Sequence, residues 1–135
     1  MADAQNMANK KILIVDDDKF LIDMYSRKFT ESGFKIDVAS SGTEALEKLE
    51  NKTFEPDICL IDIIMPAMDG FALIDKIKEK NVCPDSTLII LSNLGQQEDI
   101  EKGLAKGAAG YIVKASATPS EVVQKVTDIF NNKGK

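Results

Sequence analysis

Three short and almost uninterrupted apolar runs, each ending on a polar side chain, constrain this chain most. Lys10 to Val15 reads K-K-I-L-I-V and leads into Asp16-Asp17-Asp18. Ile58 to Ile61 reads I-C-L-I and leads into Asp62, and Thr87 to Leu91 reads T-L-I-I-L and leads into Ser92. Continuous apolar runs of this length predict strands buried on both faces. After Asp62, Pro66 biases Met65 away from the helical region and Asp69-Gly70 closes a loop. Asp62 is therefore placed at the C-terminal tip of a buried strand, the end at which open parallel sheets collect ligands.

The segments between these runs read as helices and weaker strands. Leu21, Met24, Tyr25 and Phe29 recur at three- and four-residue steps, predicting a helix to about Ser32 with Gly33 as its stop. Asp18 is assigned to capping it. Lys35 to Ala39, K-I-D-V-A, alternates polar and apolar as an edge strand does. Ser41-Gly42-Thr43-Glu44 is a capping box that opens a helix carrying Ala45, Leu46 and Leu49. Phe71, Ile74 and Ile77 mark a third helix, and the segment 81–86, with Pro84, reads as a loop. Gln96 to Lys106 is expected to form a fourth helix with Ile100 and Leu104 inward and Gly107 at its end. Gly103 inside it costs about 0.5–1 kcal/mol relative to alanine, which makes this helix the expected mobile element. Gly110 to Val113 is a short strand followed by Lys114. Thr118-Pro119-Ser120-Glu121 is a second capping box, with proline at the first helical position. Val122, Val126, Ile129 and Phe130 form the inner face of the last helix. Residues 1–9 read as a loose tail, and the chain is expected to fray from Asn131, leaving 132–135 outside the domain.

Composition narrows the class. A chain of 135 residues with 44% hydrophobic and 29% charged residues fits one soluble domain. The net charge of -5 and pI of about 4.8 argue against non-specific binding to nucleic acid or to an anionic membrane. No apolar run approaches the ~20 residues that span a bilayer, and no signal-peptide pattern is present. Cys59 and Cys83 lack metal-ligand spacing. Cys59, inside an apolar run, reads as a buried free thiol rather than half of a disulfide, which fits a reducing cytoplasm. The sequence holds no histidine, so histidine-based catalysis, histidine metal ligands and a self-carried phosphohistidine are excluded.

Strands alternating with helices predict an α/β fold: a doubly wound, five-stranded parallel sheet with five helices on its two faces. The edge-like second and fifth strands fit the flavodoxin-like order 2-1-3-4-5. In that order Asp16 and Asp17 follow the first strand, Asp62 the third, Ser92 the fourth and Lys114 the fifth. The first and third strands would be neighbours about 4.8 Å apart. Crowded carboxylates repel one another, and a hard divalent cation such as Mg²⁺, which takes oxygen ligands, relieves this. Asp62 would then be a nucleophile toward phosphorus, giving an acyl phosphate, with Ser92 and Lys114 holding phosphoryl oxygens. Taken singly, each residue has a plainer role: Asp16 to Asp18 as helix caps, Ser92 as a loop residue, Lys114 as a solvated strand end.

The chain resembles the receiver domain of bacterial two-component response regulators, stand-alone type. The resemblance rests on I-L-I-V-D-D-D, L-I-D-I-I-M-P-A-M-D-G, I-I-L-S-N and G-A-A-G-Y-I-V-K, and covers about residues 11 to 131, so that 10–131 would be the receiver domain. It implies that Asp62 is the phospho-acceptor and that Ser92 and Lys114 contact the phosphoryl group. It implies that Asp16, Asp17, Asp62 and the backbone carbonyl of Ile64 hold Mg²⁺, and that Tyr111 is an aromatic switch residue linked to Ser92. The phosphoryl donor would be a phosphohistidine on a histidine kinase or histidine phosphotransfer protein. Such a chain is a switch and not an enzyme: it promotes only its own phosphorylation and dephosphorylation.

Three departures from the family pattern matter. Ala115 stands where the family usually has a cis proline. A non-proline cis bond costs about 2.5–4 kcal/mol, so a trans Lys114–Ala115 bond is expected, with a shift of Lys114 as its possible consequence. Asn93 is larger than the residue usual after the serine and would narrow access to Asp62. Ile64 and Leu94 flank the phosphoryl site and cannot hydrogen-bond an attacking water, which implies a long-lived phosphoryl group. With no output segment after residue 131, the output would be a downstream protein partner or a phosphorylation-driven homodimer, or the chain is a piece of a longer regulator. Direct nucleic-acid or membrane binding is not expected. The alternatives are a receiver-like interaction module that never accepts phosphate, favoured by Ala115 and Asn93, a magnesium-dependent phosphatase, which would need a second acid after Asp62, and a flavin site.

Overall fold

The structure is a computed structural model and describes residues 9–132. Its five strands are β1 (Lys11–Val15), β2 (Lys35–Ala39), β3 (Ile58–Ile61), β4 (Thr87–Ser92) and β5 (Gly110–Val113). Its five helices are α1 (Lys19–Glu31), α2 (Gly42–Asn51), α3 (Gly70–Lys80), α4 (Gln97–Ala105) and α5 (Pro119–Asn132), with a 3₁₀ turn at Lys114–Ser116. All strand pairs are parallel and the order is β2-β1-β3-β4-β5, the flavodoxin-like arrangement predicted from the alternation.

Alternate side chains of each strand point to opposite faces of the sheet, which divides the core in two. Ile12, Ile14, Ile58, Leu60, Ile89, Leu91 and Ile112 pack with Tyr25 and Phe29 of α1 and Val122 and Val126 of α5. Leu13, Val15, Cys59, Ile61, Leu88 and Ile90 pack with the apolar faces of α2 and α3. The three runs that read as continuously apolar are the three interior strands, because a strand covered on both faces has no solvent side to mark with polar residues.

The predicted caps form. Asp18 Oδ1 accepts from the backbone N–H groups of Phe20 (3.0 Å) and Leu21 (3.3 Å). At α5, Thr118 Oγ1 accepts from Glu121 N–H and Glu121 returns the bond to Thr118 N–H. At α2, Ser41 Oγ accepts from Glu44 N–H, but Glu44 reaches past it to the backbone N–H of Ser40, one residue earlier than the box pattern implies.

Two expectations need correction. Leu104 does not face inward: it is 46% exposed, and Ile100 is only half-buried. The inner contact of α4 is Gly103, and a Cβ there would come within 2.5 Å of Ile90 Cδ1 and 3.2 Å of the Tyr111 ring. Helix backbone therefore lies directly on the sheet, and Leu104, the next residue round the helix, is turned to solvent. The helix α5 also continues through Asn132, beyond the expected fraying at Asn131. Of the expected tail, Asn9 donates its backbone N–H to Gly33 O at 2.9 Å. Residues 1–8 and 133–135 lie outside the described residues.

The loop after β3 is held by a close approach. Gly70 donates its backbone N–H to Ile63 O, and Asp69 caps α3 by accepting from Ala72 N–H at 2.8 Å. A Cβ on Gly70 would sit 2.3 Å from the carbonyl oxygen of Asp62 and 2.8 Å from Ile63 Cα. Those are backbone atoms that cannot swing aside. Gly70→Ala is expected to lower unfolding stability by about 1–3 kcal/mol in urea titrations; an unchanged midpoint would show that the α3 N-terminus does not rest on this loop.

Candidate functional site

Strand register brings the predicted residues together. Val15 lies beside Ile61 and Ile61 beside Ile90, while Ser92 lies beside Val113. Asp16 and Asp62, each one residue past its strand, thus emerge side by side. Ser92 closes β4, and Lys114 leaves β5 next to it. Asp16, Asp17 and Asp62 have carboxylate oxygens within 4.8 Å of one another, with Asp16 and Asp62 buried and Asp17 exposed. A cavity of about 190 Å³ opens over them, lined also by Ile64, Asn93 and Lys114.

Lys114 is the link across the pocket. Its ammonium lies 2.7 Å from Asp16 Oδ2 and 3.3 Å from Asp62 Oδ2. The Lys114–Ala115 bond is trans, since no peptide bond among the described residues is cis. With this trans bond the lysine reaches both acids.

The other oxygen of each acid accepts from backbone. Asp16 Oδ1 accepts from Asp18 N–H at 2.9 Å, and Asp62 Oδ1 from Ile63 N–H at 2.8 Å. Burial pushes the Asp62 carboxyl above its ordinary value, the Lys114 ammonium opposes this, and the Asp16 charge adds to it. Burial alone would depress Lys114. Its bond to Asp16 and the charges of Asp62 and Asp16 outweigh that, and its pKa is raised.

Ser92 is fully buried and its Oγ accepts from Leu94 N–H at 3.2 Å. The Tyr111 hydroxyl donates to the carbonyl oxygen of the same Leu94. Burial first, then the charges of Asp99 and Asp62, push the Tyr111 phenol up to about 12, so it remains a donor at neutral pH. The family resemblance implied a link between Ser92 and Tyr111; the residue joining them, Leu94, acts through backbone atoms and carries no side-chain signal. Gly103 was equally hidden, legible as an irregularity in a helix and not as the seat of the Tyr111 ring. Ile64 stands 57% exposed at the mouth of the cavity, and Asn93 is exposed at its rim.

Fold and site together define a doubly wound α/β protein with an acidic pocket at the carboxyl ends of its central strands. The chain belongs to the response regulator receiver domain family, whose profile matches residues 12–127. It is 36% identical over 122 residues to the chemotaxis protein CheY of Halobacterium salinarum, covering 90% of this chain and 97% of that protein. It is 38% identical over 122 residues to CheY of Thermotoga maritima, covering 89% and 97%. Among solved structures it resembles the CheX-CheY-BeF3-Mg complex from Borrelia burgdorferi (TM-score 0.82, 35% identity, 93% of this chain and 92% of that one). It also resembles CheY4 of Vibrio cholerae (TM-score 0.81, 26% identity, 90% and 99%). The chain is accordingly a phosphorylation-activated switch of two-component signalling.

The raised Asp62 carboxyl has a thermodynamic consequence. A group that holds its proton more tightly when folded lowers stability as pH climbs through the window above its ordinary value of 3.8. In metal-free buffer Asp62→Asn is therefore expected to stabilise the fold by on the order of 1 kcal/mol at neutral pH, with the gain vanishing at pH below the carboxylate range. A variant less stable than the wild type at neutral pH would show that pairing with Lys114 outweighs burial.

Proposed function

We propose that Asp62 is the phospho-acceptor of this switch, taking a phosphoryl group from a phosphohistidine on a histidine kinase or histidine phosphotransfer protein in the cytoplasm. The supporting observation is one ammonium shared between two buried carboxylates, at a pocket that opens to solvent beside Asp17. An Asp62 oxygen forms the new bond to phosphorus while the bond from phosphorus to the donor imidazole nitrogen breaks, and the imidazole leaves.

The donor set also fits Mg²⁺. Three carboxylates face one ammonium, an excess of negative charge among hard oxygen ligands. Asp16, Asp17, Asp62 and the Ile64 carbonyl would hold it, and when bound it would neutralise phosphoryl charge. Lys114 and the Ser92 hydroxyl bind phosphoryl oxygens, and Lys114 leaves Asp16 to do so. If Ser92 Oγ turns toward the phosphoryl group, its bond from Leu94 N–H is lost. The Leu94 carbonyl then moves relative to the Tyr111 hydroxyl, and α4, seated on the Tyr111 ring through Gly103, moves with it. The phosphoryl group acts by bonding this second arrangement better than the first. The surface of α4, β5 and α5 would then bind a downstream protein partner, or a second copy of the chain, differently.

Incubation with Mg²⁺ and a small phosphodonor, read by intact mass, tests the assignment. A gain of about 80 Da that is absent from Asp62→Asn is expected; no gain, or a gain that persists in the variant, would overturn it and favour the phosphate-independent module. Neither Ile64 nor Leu94 has a side chain able to hold an attacking water, so Ile64→Asn should shorten the phosphoryl lifetime several-fold. Equal decay of wild type and variant, followed by the same mass measurement, would contradict this.

A further inference from the structure

At the opposite end of the sheet from the acid pocket two free thiols lie together. Cys59, near the start of β3, is fully buried, whereas Cys83 is partly exposed in the loop between α3 and β4. Cys83 packs against the core cluster that holds Cys59, and Ser86 lies between them: its Oγ is 3.4 Å from Cys59 Sγ and its backbone N–H donates to the Cys83 carbonyl at 3.1 Å. Cys83 lines a cavity of about 370 Å³ together with Lys52, Phe54, Pro56 and Ser86. On its other side a smaller cavity of about 120 Å³ brings in Lys78. One thiol is thus reachable and placed near two ammonium groups; the other is sealed behind it.

We propose that Cys83 and Cys59 form a peroxide-oxidisable dithiol, with Cys83 as the attacking thiol and Cys59 as the resolving one. The Cys83 thiolate attacks one oxygen of a hydroperoxide. The O–O bond breaks, the other oxygen leaves as water or an alcohol after taking a proton, and Cys83 becomes a sulfenic acid. Cys59 sulfur then attacks Cys83 sulfur, the sulfenic oxygen leaves as water, and a Cys59–Cys83 disulfide remains. The two thiols have given two electrons to the peroxide, and an external dithiol returns them by exchange.

Electrostatics match the order of the steps. The neighbouring Cys59 thiol lowers the Cys83 thiol, with Ser86, Lys78 and Lys52 adding to that, while burial opposes. The neighbouring Cys83 thiol, then burial, pushes the Cys59 thiol well above its ordinary value, so Cys83 and not Cys59 meets the peroxide as thiolate; Cys59 passes its proton to the departing sulfenic oxygen as it attacks. Bonding requires the sulfurs to close to about 2.05 Å. That movement falls on the irregular loop 81–86 and not on β3, which is fixed by strands on both sides. The crosslink would tie the start of β3 to the loop feeding β4, the two strands whose other ends carry Asp62 and Ser92. This pair is independent of the phospho-acceptor assignment.

The test treats the full chain with hydrogen peroxide, unfolds it, alkylates it and reads intact mass with a non-reducing peptide map. The wild type should lose about 2 Da, resist alkylation at both cysteines, yield a joined Cys59–Cys83 peptide and revert with dithiothreitol. Cys59→Ala should stop at a sulfenic acid on Cys83, a gain of about 16 Da that a 1,3-diketone captures. Cys83→Ser should leave Cys59 unmodified at the same dose. Three results would overturn the proposal: an unreactive wild type, Cys83 advancing to sulfinic acid while Cys59 remains alkylatable, or only Cys83–Cys83 dimers between chains. The wild-type map decides between these even if a variant fails to fold.

Discussion

The Lys114 ammonium, held between Asp16 and Asp62, is the interaction on which the rest of this structure depends. Two carboxylates with little solvent access repel each other, and that repulsion acts at the ends of two neighbouring central strands. One cation brought from the far edge strand offsets it, at the charge-assisted distance of 2.7 Å to Asp16. The offset is incomplete: burial first, and then the Asp16 charge, keep Asp62 raised, and Asp17 adds a third negative group at the surface. A pocket balanced in this way is stable and yet ready to accept further positive charge or a group that competes for the lysine. That readiness is what a switch needs, because an incoming ligand acts only through its different affinity for two arrangements.

How the pocket would reach the surface follows from small groups and not from a large rearrangement. Leu94 presents its N–H to Ser92 and its carbonyl to Tyr111, so two side chains share one peptide segment. Gly103 lets α4 lie on the Tyr111 ring, where any side chain would hold the helix off. The same helix is tied to α3 by the Lys106–Asp75 ion pair and by Lys102 over the Phe71 ring, 4.5 Å from its centroid. Both ties lie at partly solvated positions, where such contacts are weak. The α4 element is thus held by contacts that can be exchanged, on a sheet that is held by its core.

Most of the fold was legible because the chain states it twice. Apolar runs without alternation marked β1, β3 and β4, and their polar end residues marked which way the sheet faces. Asp18, Ser41 and Thr118 announced helix starts through chemistry local to a few residues, which is why those boundaries came out closely. The site was legible because parallel strands align their ends, so residues far apart in sequence fall into one row. What sequence could not carry was the sense of α4. Ile100 and Leu104 have helical spacing, but Gly103 removes the side chain that would otherwise set the inner face, and the helix rotates to bring its backbone inward. The trans bond before Ala115 was legible locally, whereas the attraction of two carboxylates that holds Lys114 comes from across the pocket. The thiol pair was invisible for a similar reason, since a loop brings Cys83 to Cys59 by packing and not by spacing.

The most direct test of the central claim is a calorimetric titration of Mg²⁺ into the wild type and into Lys114→Gln. If a cation is bound by the acids that Lys114 now bridges, removing the ammonium removes a competing charge, and Mg²⁺ should bind Lys114→Gln more tightly by about tenfold. Equal or weaker binding in the variant, or no binding in either protein, would contradict the account.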